Sequence, residues 1–490
     1  MILQDEKLYS VASLTLADMS TREAIRSRLI GDQDSDVDRA VFMANELDGV
    51  VIHIPGPGWF VWTGTVWAGT SSDAPVRALV QRVTGEILAT AANFADDDTN
   101  LTNTLVDIAR KFRQSYVIDR VLKEIQAMPQ IAREVHELDG DPELLTFRNG
   151  TVDLRTGNFT EPRFDPANML TRLVDIDYDP YATSDRWESY LESSQPDAEV
   201  REFLQRAAGY GITGYTSEEC LLFFYGSGRN GKGVFTETLA HAFAPITVTP
   251  LADFWYRGPR KGSTIAMLHG ARLVISDEMS DRSLDEQFLK MVAAASPLQA
   301  DPKHKAAYDF KPQGLIIMSG NDKPRITGTD EGIWRRFRCV NWAQSFVGRE
   351  DRTLKSDLLS DAELTGIAAW VVEGAVRWFE DGLTEPKAVT DATDEYRNES
   401  DPFADWIDGY LEPCPDGGFI LTANLADSAY AHGVPKSKSK TAITQAVLRQ
   451  IPGAEAARAR QDGRLGRGVR GVRMVKTASD ERFPGIQARI

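Results

Sequence analysis

The sequence predicts an α/β fold built on a parallel sheet, and two observations carry that prediction. Between residues 219 and 342, short apolar runs alternate with helical patterns: 221–225 (LLFFY), 272–276 (RLVIS), 314–319 (GLIIMS) and 338–342. Continuous apolar runs of this length mark strands buried on both faces, as in a parallel sheet covered by helices. The first run also opens directly into a glycine-rich loop, Gly226 to Gly233 (GSGRNGKG), followed by a helical pattern.

Composition limits the rest. The chain has 490 residues, a formal charge of −17, 42 % hydrophobic and 26 % charged residues. That is ordinary for a globular protein of about three domains and excludes a mainly disordered or fibrous one. No run of about 18 apolar residues predicts a membrane span. The polar start (MILQDEKLYS) lacks the apolar core of a secretion signal. Cys220, Cys339 and Cys414 are far apart and form neither a disulfide framework nor a metal-ligand spacing. A cytoplasmic protein is expected. A charge of −17 argues against a generic nucleic-acid coat. The charge is uneven, however: residues 436–490 hold 13 Lys/Arg against 4 Asp/Glu, about +9, leaving 42 against 68 elsewhere. A basic terminal unit on an acidic body suggests a polyanion-binding module, with a solvated tail as the alternative.

Along the chain, residues 1–35 are polar and an acidic cluster covers 32–38. Residues 58–67 (GWFVWTGTVW) read as a β-hairpin about Thr63-Gly64-Thr65. Helical periodicity covers 74–138 and stops near Asp139-Gly140-Asp141-Pro142; a second hairpin is expected over 145–160. Residues 185–212 and 361–380 read as helical, and 381–386 as a linker. Beyond residue 400 come three helical patterns and two Gly/Arg-rich strands, the order of a winged helix. The expected division is 1–140, a collar at 141–214, the sheet domain at 215–385 and the winged helix at 400–480.

The glycine loop sits in the context a phosphate-binding loop requires, strand then loop then helix. Gly226, Ser227, Gly228, Arg229, Asn230, Gly231, Lys232, Gly233 and Val234 would surround phosphates with backbone N–H groups at a helix N-terminus. Lys232 would reach the β- and γ-phosphates. Gly233 departs from the usual pattern, in which a Ser or Thr hydroxyl meets Mg²⁺; Thr236 lies one turn later. The run at 272–276 ends in Asp277-Glu278, about 45 residues beyond Lys232. Asp277 would hold Mg²⁺ and Glu278 would bind metal or polarise water. Asn321, closing the 314–319 run, would orient that water. Between these strands Lys303-His304-Lys305 forms a basic centre with flanks able to pair, either a hairpin presented to a phosphate backbone or a solvated loop. Arg335-Arg336 precedes the last strand, as a trans-acting arginine or a surface pair.

This order of motifs within about 120 residues resembles the superfamily 3 helicases, an AAA+-like P-loop family. Residues 302–307 (PKHKAA) resemble the DNA hairpin of papillomavirus replicative helicases, and the polyomavirus large T antigen has a similar Lys-His pair. The tryptophan hairpin 59–67 and the segment 145–157 (LTFRNGTVDLRTG) resemble the pre-helicase region of phage, plasmid and poxvirus primase-helicases. The likeness covers about residues 36–480. It implies an ATP- and Mg²⁺-dependent DNA helicase or translocase of a phage or mobile element, working in the host cytoplasm. The protein would be a ring-shaped homo-hexamer on single-stranded or forked DNA, with 3′→5′ movement. Lys232, Glu278, Asn321 and Arg336 would be catalytic, the arginine acting on the neighbouring subunit. Lys303, His304 and Lys305 would line the pore. Lys436, Lys438, Lys440, Arg464, Arg467 and Arg470 of the winged helix would meet phosphates. With only about 140 residues before the Asn-Gly segment, any primase-polymerase would be a separate chain. An initiator or loader, and a sensor NTPase of an immunity system, remain as alternative functions.

Overall fold

The computed structural model describes residues 35–160, 164–302, 307–326, 331–401, 403–436, 438–461 and 463–475. They form two units. The first runs to Lys323 and resumes over Arg335–Thr390; the second comprises Pro324–Trp334 and the chain from Asp391 onward. Among the described residues no helix is long and apolar enough to cross a membrane.

The first unit begins with helix α1 (Asp36–Glu46), whose N-cap Ser35 accepts a hydrogen bond from the Asp38 amide. The sequence reading missed it, because its first turn carries two acidic residues that read as part of a charge cluster. Strands β1 (Val51–Ile54), β2 (Gly58–Trp62) and β3 (Trp67–Gly69) form an antiparallel meander. Helices α2 (Ala74–Asn93), α3 (Thr99–Phe112) and α4 (Ser115–Ile125) pack with it around Phe42, Leu79, Leu105 and Val121. Trp59 and Trp67 are core residues at 7 % and 2 % exposure, and the Trp67 indole donates to the Pro166 carbonyl at 2.8 Å. The tryptophan hairpin is therefore part of the packing.

The second expected hairpin is β4 (Leu144–Phe147) with β5 (Gly150–Asp153), extended by β6 (Phe159–Thr160) and β7 (Leu173–Val174). Its motif residues are structural. Asn149 bridges to Tyr178, donating to its carbonyl at 2.9 Å and accepting from its amide at 2.8 Å. Asp153 accepts from the amides of Arg155 and Thr156, closing the turn.

Helices α5 (Asp185–Ser194) and α6 (Ala198–Ile212) lead into the main sheet. Its strands are β8 (Leu221–Tyr225), β9 (Thr247–Val248), β10 (Leu273–Met279), β13 (Leu315–Gly320) and β14 (Phe337–Asn341). They run in the order β14-β8-β13-β10-β9, and every pairing is parallel. Helix α7 (Lys232–Ala242) follows β8; between β10 and β13 come α8 (Glu286–Ala293) and the antiparallel pair β11 (Leu298–Ala300) and β12 (Tyr308–Phe310). One hydrophobic core joins the sheet to the 141–214 segment and to α9 (Asp361–Asp381), through Phe147, Trp187, Phe203, Phe224, Ile317 and Val372. Buried Arg272 reinforces that union, donating to the carbonyls of Leu144 at 3.1 Å and Ile212 at 3.0 Å. Helix α10 (Lys387–Glu399) follows the expected linker.

The second unit contains α11 (Ala404–Tyr410), α12 (Thr422–Ala431) and α13 (Lys440–Gln450). The expected strand pair is β17 (Glu455–Gln461) with β18 (Arg464–Arg470). Three short strands went unread: β15 (Leu411–Pro413), β16 (Phe419–Leu421) and β19 (Val472–Met474). β16 adds to β18, and β15 pairs with β19. Phe403, Trp406, Leu425, Ile443, Val447 and Val469 fill the core.

Candidate functional site

The site is built at the C-terminal ends of the parallel strands, where such sheets leave a crevice. β8 ends at Tyr225 and the chain turns at Gly226, with φ 151°, close against the end of β14. A β-carbon at Gly226 would lie 2.3 Å from the Trp342 carbonyl oxygen, so no other residue fits. That carbonyl instead accepts from Asn230 Nδ2 at 2.9 Å, tying the loop to β14. The loop returns at Gly231, the N-cap of α7. Its carbonyl accepts from the buried Tyr190 hydroxyl at 2.9 Å, so α5 buttresses the loop. Arg229 at the outer edge pairs with Glu350 at 2.8 Å.

Lys232, the first residue of α7, is 6 % exposed. Its Nζ donates to the Gly226 carbonyl at 2.8 Å and to Asn321 Oδ1 at 3.4 Å. Burial pulls its pKa below the ordinary lysine value, and the charge of Asp277 opposes that shift. A buried ammonium held at a glycine loop that opens a helix is suited to a polyanion.

Asp277 and Glu278 lie in β10, where the register with β13 slips between Ser276 and Met279. Glu278 takes φ 58°, and both carboxylates are exposed while the residues before them are buried. The irregularity thus turns two acids out of the ladder into the crevice. Ser276 anchors the strand just before them, accepting from the Trp255 indole and donating to the Pro250 carbonyl, each at 2.7 Å. Asp277 Oδ1 accepts from the Ser319 hydroxyl at 2.6 Å and from Thr236 Oγ1 at 3.3 Å. Asn321 follows β13, the strand between β8 and β10. Lys232, Asp277, Glu278 and Asn321 therefore come together at neighbouring strand ends. Gly233 lies on α7, and Ser227, Gly228 and Val234 complete the loop and first turn.

Arg336 is elsewhere. Parallel pairing sets Phe337 beside Leu221 and Asn341 beside Tyr225. Arg336 consequently stands at the opposite end of β8 from the glycine loop, a strand length of roughly 15 Å away at about 3.3 Å per residue. It is 6 % exposed and ion-paired with Glu219. Arg335, with a side chain 65 % exposed, also approaches Glu219, at 3.4 Å.

Lys303, His304 and Lys305 lie outside the described residues. Their flanks pair as expected, Leu298 with Phe310 and Ala300 with Tyr308. The Tyr308 hydroxyl meets His269 Nδ1 at 3.0 Å, fixing one leg of the pair. Lys438 and Arg467 belong to the second unit, Lys438 just before α13 and Arg467 within β18.

Sequence reasoning assigned no role to Ser319, Tyr190 or Glu219, and left Thr236 open. Ser319 was visible as the Ser of a Ser-x-Asn strand end; the other contacts arise only from folding. Among the described residues no three His, Cys, Asp or Glu side chains converge as a ready-made metal site.

Fold and site together define a class, a mixed α/β protein with a parallel sheet, consistent with a helicase-like domain. The particular likenesses agree. Residues 40–196 match the family described as D5 N terminal like, and residues 224–336 match a family of unknown function, DUF5906. The helicase-named L207/L206 of Acanthamoeba polyphaga mimivirus is 24 % identical over 72 % of this chain and 40 % of its own length. The helicase-named 184R of Invertebrate iridescent virus 6 is 22 % identical over 75 % and 46 %. Primase D5 of Fowlpox virus is 25 % identical over 63 % and 39 %. The chain thus spans less than half the length of these curated relatives. The solved NrS-1 C terminal region aligns with a TM-score of 0.36 at 14 % identity, over 73 % of this chain and 90 % of that one. The family matches and the viral relatives support a likeness to superfamily 3 primase-helicases.

Proposed function

We propose that the chain is an ATP-hydrolysing DNA helicase or translocase of a phage or mobile element, acting as a ring-shaped homo-hexamer on single-stranded or forked DNA. The observation that carries this reading is the convergence of Lys232, Asp277, Glu278 and Asn321 on one glycine loop at adjoining strand ends. Backbone amides of residues 226–234 and the Lys232 ammonium would bind the triphosphate. The donor set fits Mg²⁺, a hard cation that prefers a carboxylate or two plus phosphate oxygens and water. Asp277 supplies the carboxylate, and the Thr236 hydroxyl beside it stands where Gly233 offers none. Mg²⁺ would neutralise charge on the phosphates. Glu278, free of the β10 ladder, would polarise the attacking water, with Asn321 orienting it.

The position of Arg336 supports a trans role, since the length of β8 separates it from the loop of its own chain. To meet a neighbour's phosphates it must exchange Glu219 for them, and exposed Arg335 stands beside it. The hairpin carried by β11 and β12 would present Lys303, His304 and Lys305 to DNA in the pore. The second unit would act as a winged helix, with Lys438 and Arg467 among its phosphate contacts. A separate primase-polymerase would be a partner, and the host cytoplasm the site of action.

The test is Glu278→Gln. It is expected to retain ATP binding and to lose turnover by a factor of about a hundred or more, as general-base removal does. Normal turnover would remove Glu278 from the mechanism. Loss of nucleotide binding by Lys232→Ala, with the fold intact, is the companion result.

A further inference from the structure

The second unit carries a cationic surface that is narrower and more ordered than the charge of about +9 over residues 436–490 suggests. In the β17–β18 hairpin Arg458 stands directly opposite Arg467, and Arg460 opposite Leu465. Alternate residues of a strand share a face, so Arg458, Arg460, Arg467 and Leu465 lie on one side of the ribbon. All three arginines are exposed, and none has a carboxylate partner among the described residues; Leu465 is 57 % exposed.

The same hairpin neutralises an arginine where it can. At its far end Arg470 faces Glu455, with 3.5 Å between guanidinium and carboxylate. Arg473 likewise pairs with Glu412 across β15 and β19. Like charges directly opposite in a ladder are destabilising. Setting Arg458 against Arg467 therefore costs stability unless an anion covers both.

Helix α13, the third helix of the winged-helix order and so the one placed to enter a groove, offers much less. Its exposed residues are Lys440, Thr441, Gln445 and Arg449, and Arg449 is bound to Asp401 at 3.0 Å. One uncommitted cation remains on it.

We infer that the arginine ladder of β17 and β18, rather than α13, is the surface by which this unit holds duplex DNA, through phosphates and without reading sequence. The inference rests on the DNA-binding reading of the unit. Guanidinium groups without partners match phosphate geometry. β16 pairs only with residues 468–470, so the arginine-bearing part of the hairpin is a two-stranded ribbon, which fits the major groove of a duplex. Residues 455–470 contain no aromatic side chain on which unpaired bases could stack, which disfavours a single strand.

The experiment uses the full chain and fluorescence anisotropy with two short duplexes of unrelated sequence, over a series of salt concentrations. The wild type should bind both duplexes equally. Arg458→Gln with Arg460→Gln and Arg467→Gln should weaken binding roughly ten- to a hundredfold at low salt. The slope of log affinity against log salt should fall by about 2.7, at about 0.9 per phosphate contact. Replacing the same three by lysine should restore most of the slope. Lys440→Ala with Thr441→Ala and Gln445→Ala should change affinity by no more than about the single contact of one lysine. Unchanged binding in the glutamine variant, a dominant loss in the α13 variant, or strong preference for one duplex would overturn the inference alone. A wild type that binds neither duplex at low salt would overturn the DNA reading of the unit, and the inference with it.

Discussion

Thr236 is the residue on which the unusual glycine loop turns. It is fully buried, one turn into α7, with its hydroxyl 3.3 Å from one Asp277 oxygen and 3.4 Å from the other. Ser319 holds the same carboxylate from β13 at 2.6 Å. Two hydroxyls fix the acid's orientation from two elements, as outer partners of a metal-binding carboxylate do. Thr236→Val keeps the shape and removes the hydroxyl. In the ATPase reading it should raise the Mg²⁺ concentration for half-maximal turnover about tenfold, the lower end of what losing such a partner costs. Metal-free nucleotide binding should be unchanged. A Mg²⁺ titration of ATPase activity checks this, and an unmoved midpoint would confine Thr236 to packing. Cys220 gives a plainer residue-scale test. Burial pushes its thiol pKa up to about 12, and Cys339 is buried too, whereas Cys414 is partly exposed. Since the thiolate is the reactive form, Cys414 should be alkylated first, and Cys220 only on unfolding.

At the scale of elements, α6 and α9 meet more closely than side chains allow. A β-carbon at Gly374 would sit 2.1 Å from the Gln205 carbonyl oxygen, and one at Gly209 2.0 Å from the Ala375 nitrogen. Alanine normally favours a helix over glycine by about 1 kcal/mol. Here the clash is with backbone, so overpacking wins: Gly374→Ala should cost about 3 kcal/mol or more. Gly85 in α2 is the internal control, since nothing lies within 4 Å of its would-be β-carbon. Gly85→Ala should stabilise by roughly 0.5–1 kcal/mol. Denaturant melts of the two variants would settle both signs. Elements of this kind also mark how far the sequence could be read. The sheet strands, the glycine loop and Asp277-Glu278 were legible because each signal is local: an apolar run, a turn, a strand end. The α6–α9 contact was not, because a helical glycine looks the same whether it exposes a surface or admits a neighbouring backbone. Thr236, Ser319 and Tyr190 were hidden for a related reason, their partners lying 41 residues or more away in sequence and adjacent only through the strand order. Strands β15, β16 and β19 were too short to show a period.

At the scale of the molecule, charge divides along the sequence and histidine protonation along the two units. The acidic excess lies outside residues 436–490, and the partly buried histidines with displaced pKa values, His53 and His269, both lie in the first unit. Burial lowers both below the ordinary 6.5, and the Arg172 guanidinium adds to the effect at His269 while Asp139 opposes it. The unfolded chain therefore takes up protons before the folded one. Stability is greatest above the unfolded pKa, falls as pH drops through it, and reaches its full loss below the folded values. Carboxylates add to the acid side at lower pH. Glu143, held down by hydrogen bonds from Arg155 and Tyr215, and Asp351, by the Thr353 amide, contribute stability above their unfolded pKa that is lost as pH falls through their folded ones. The first unit should consequently lose melting temperature in two stages, by a few degrees from about pH 7.5 to 5.5 and more steeply below about pH 4. Calorimetry of the whole chain over this pH range can follow both stages. His269→Gln should flatten the upper stage, whatever it does to the melting temperature itself, because the slope depends on the titrating group and the offset on packing. A slope as steep as that of the wild type would exclude His269 as its source and leave His53 to account for it.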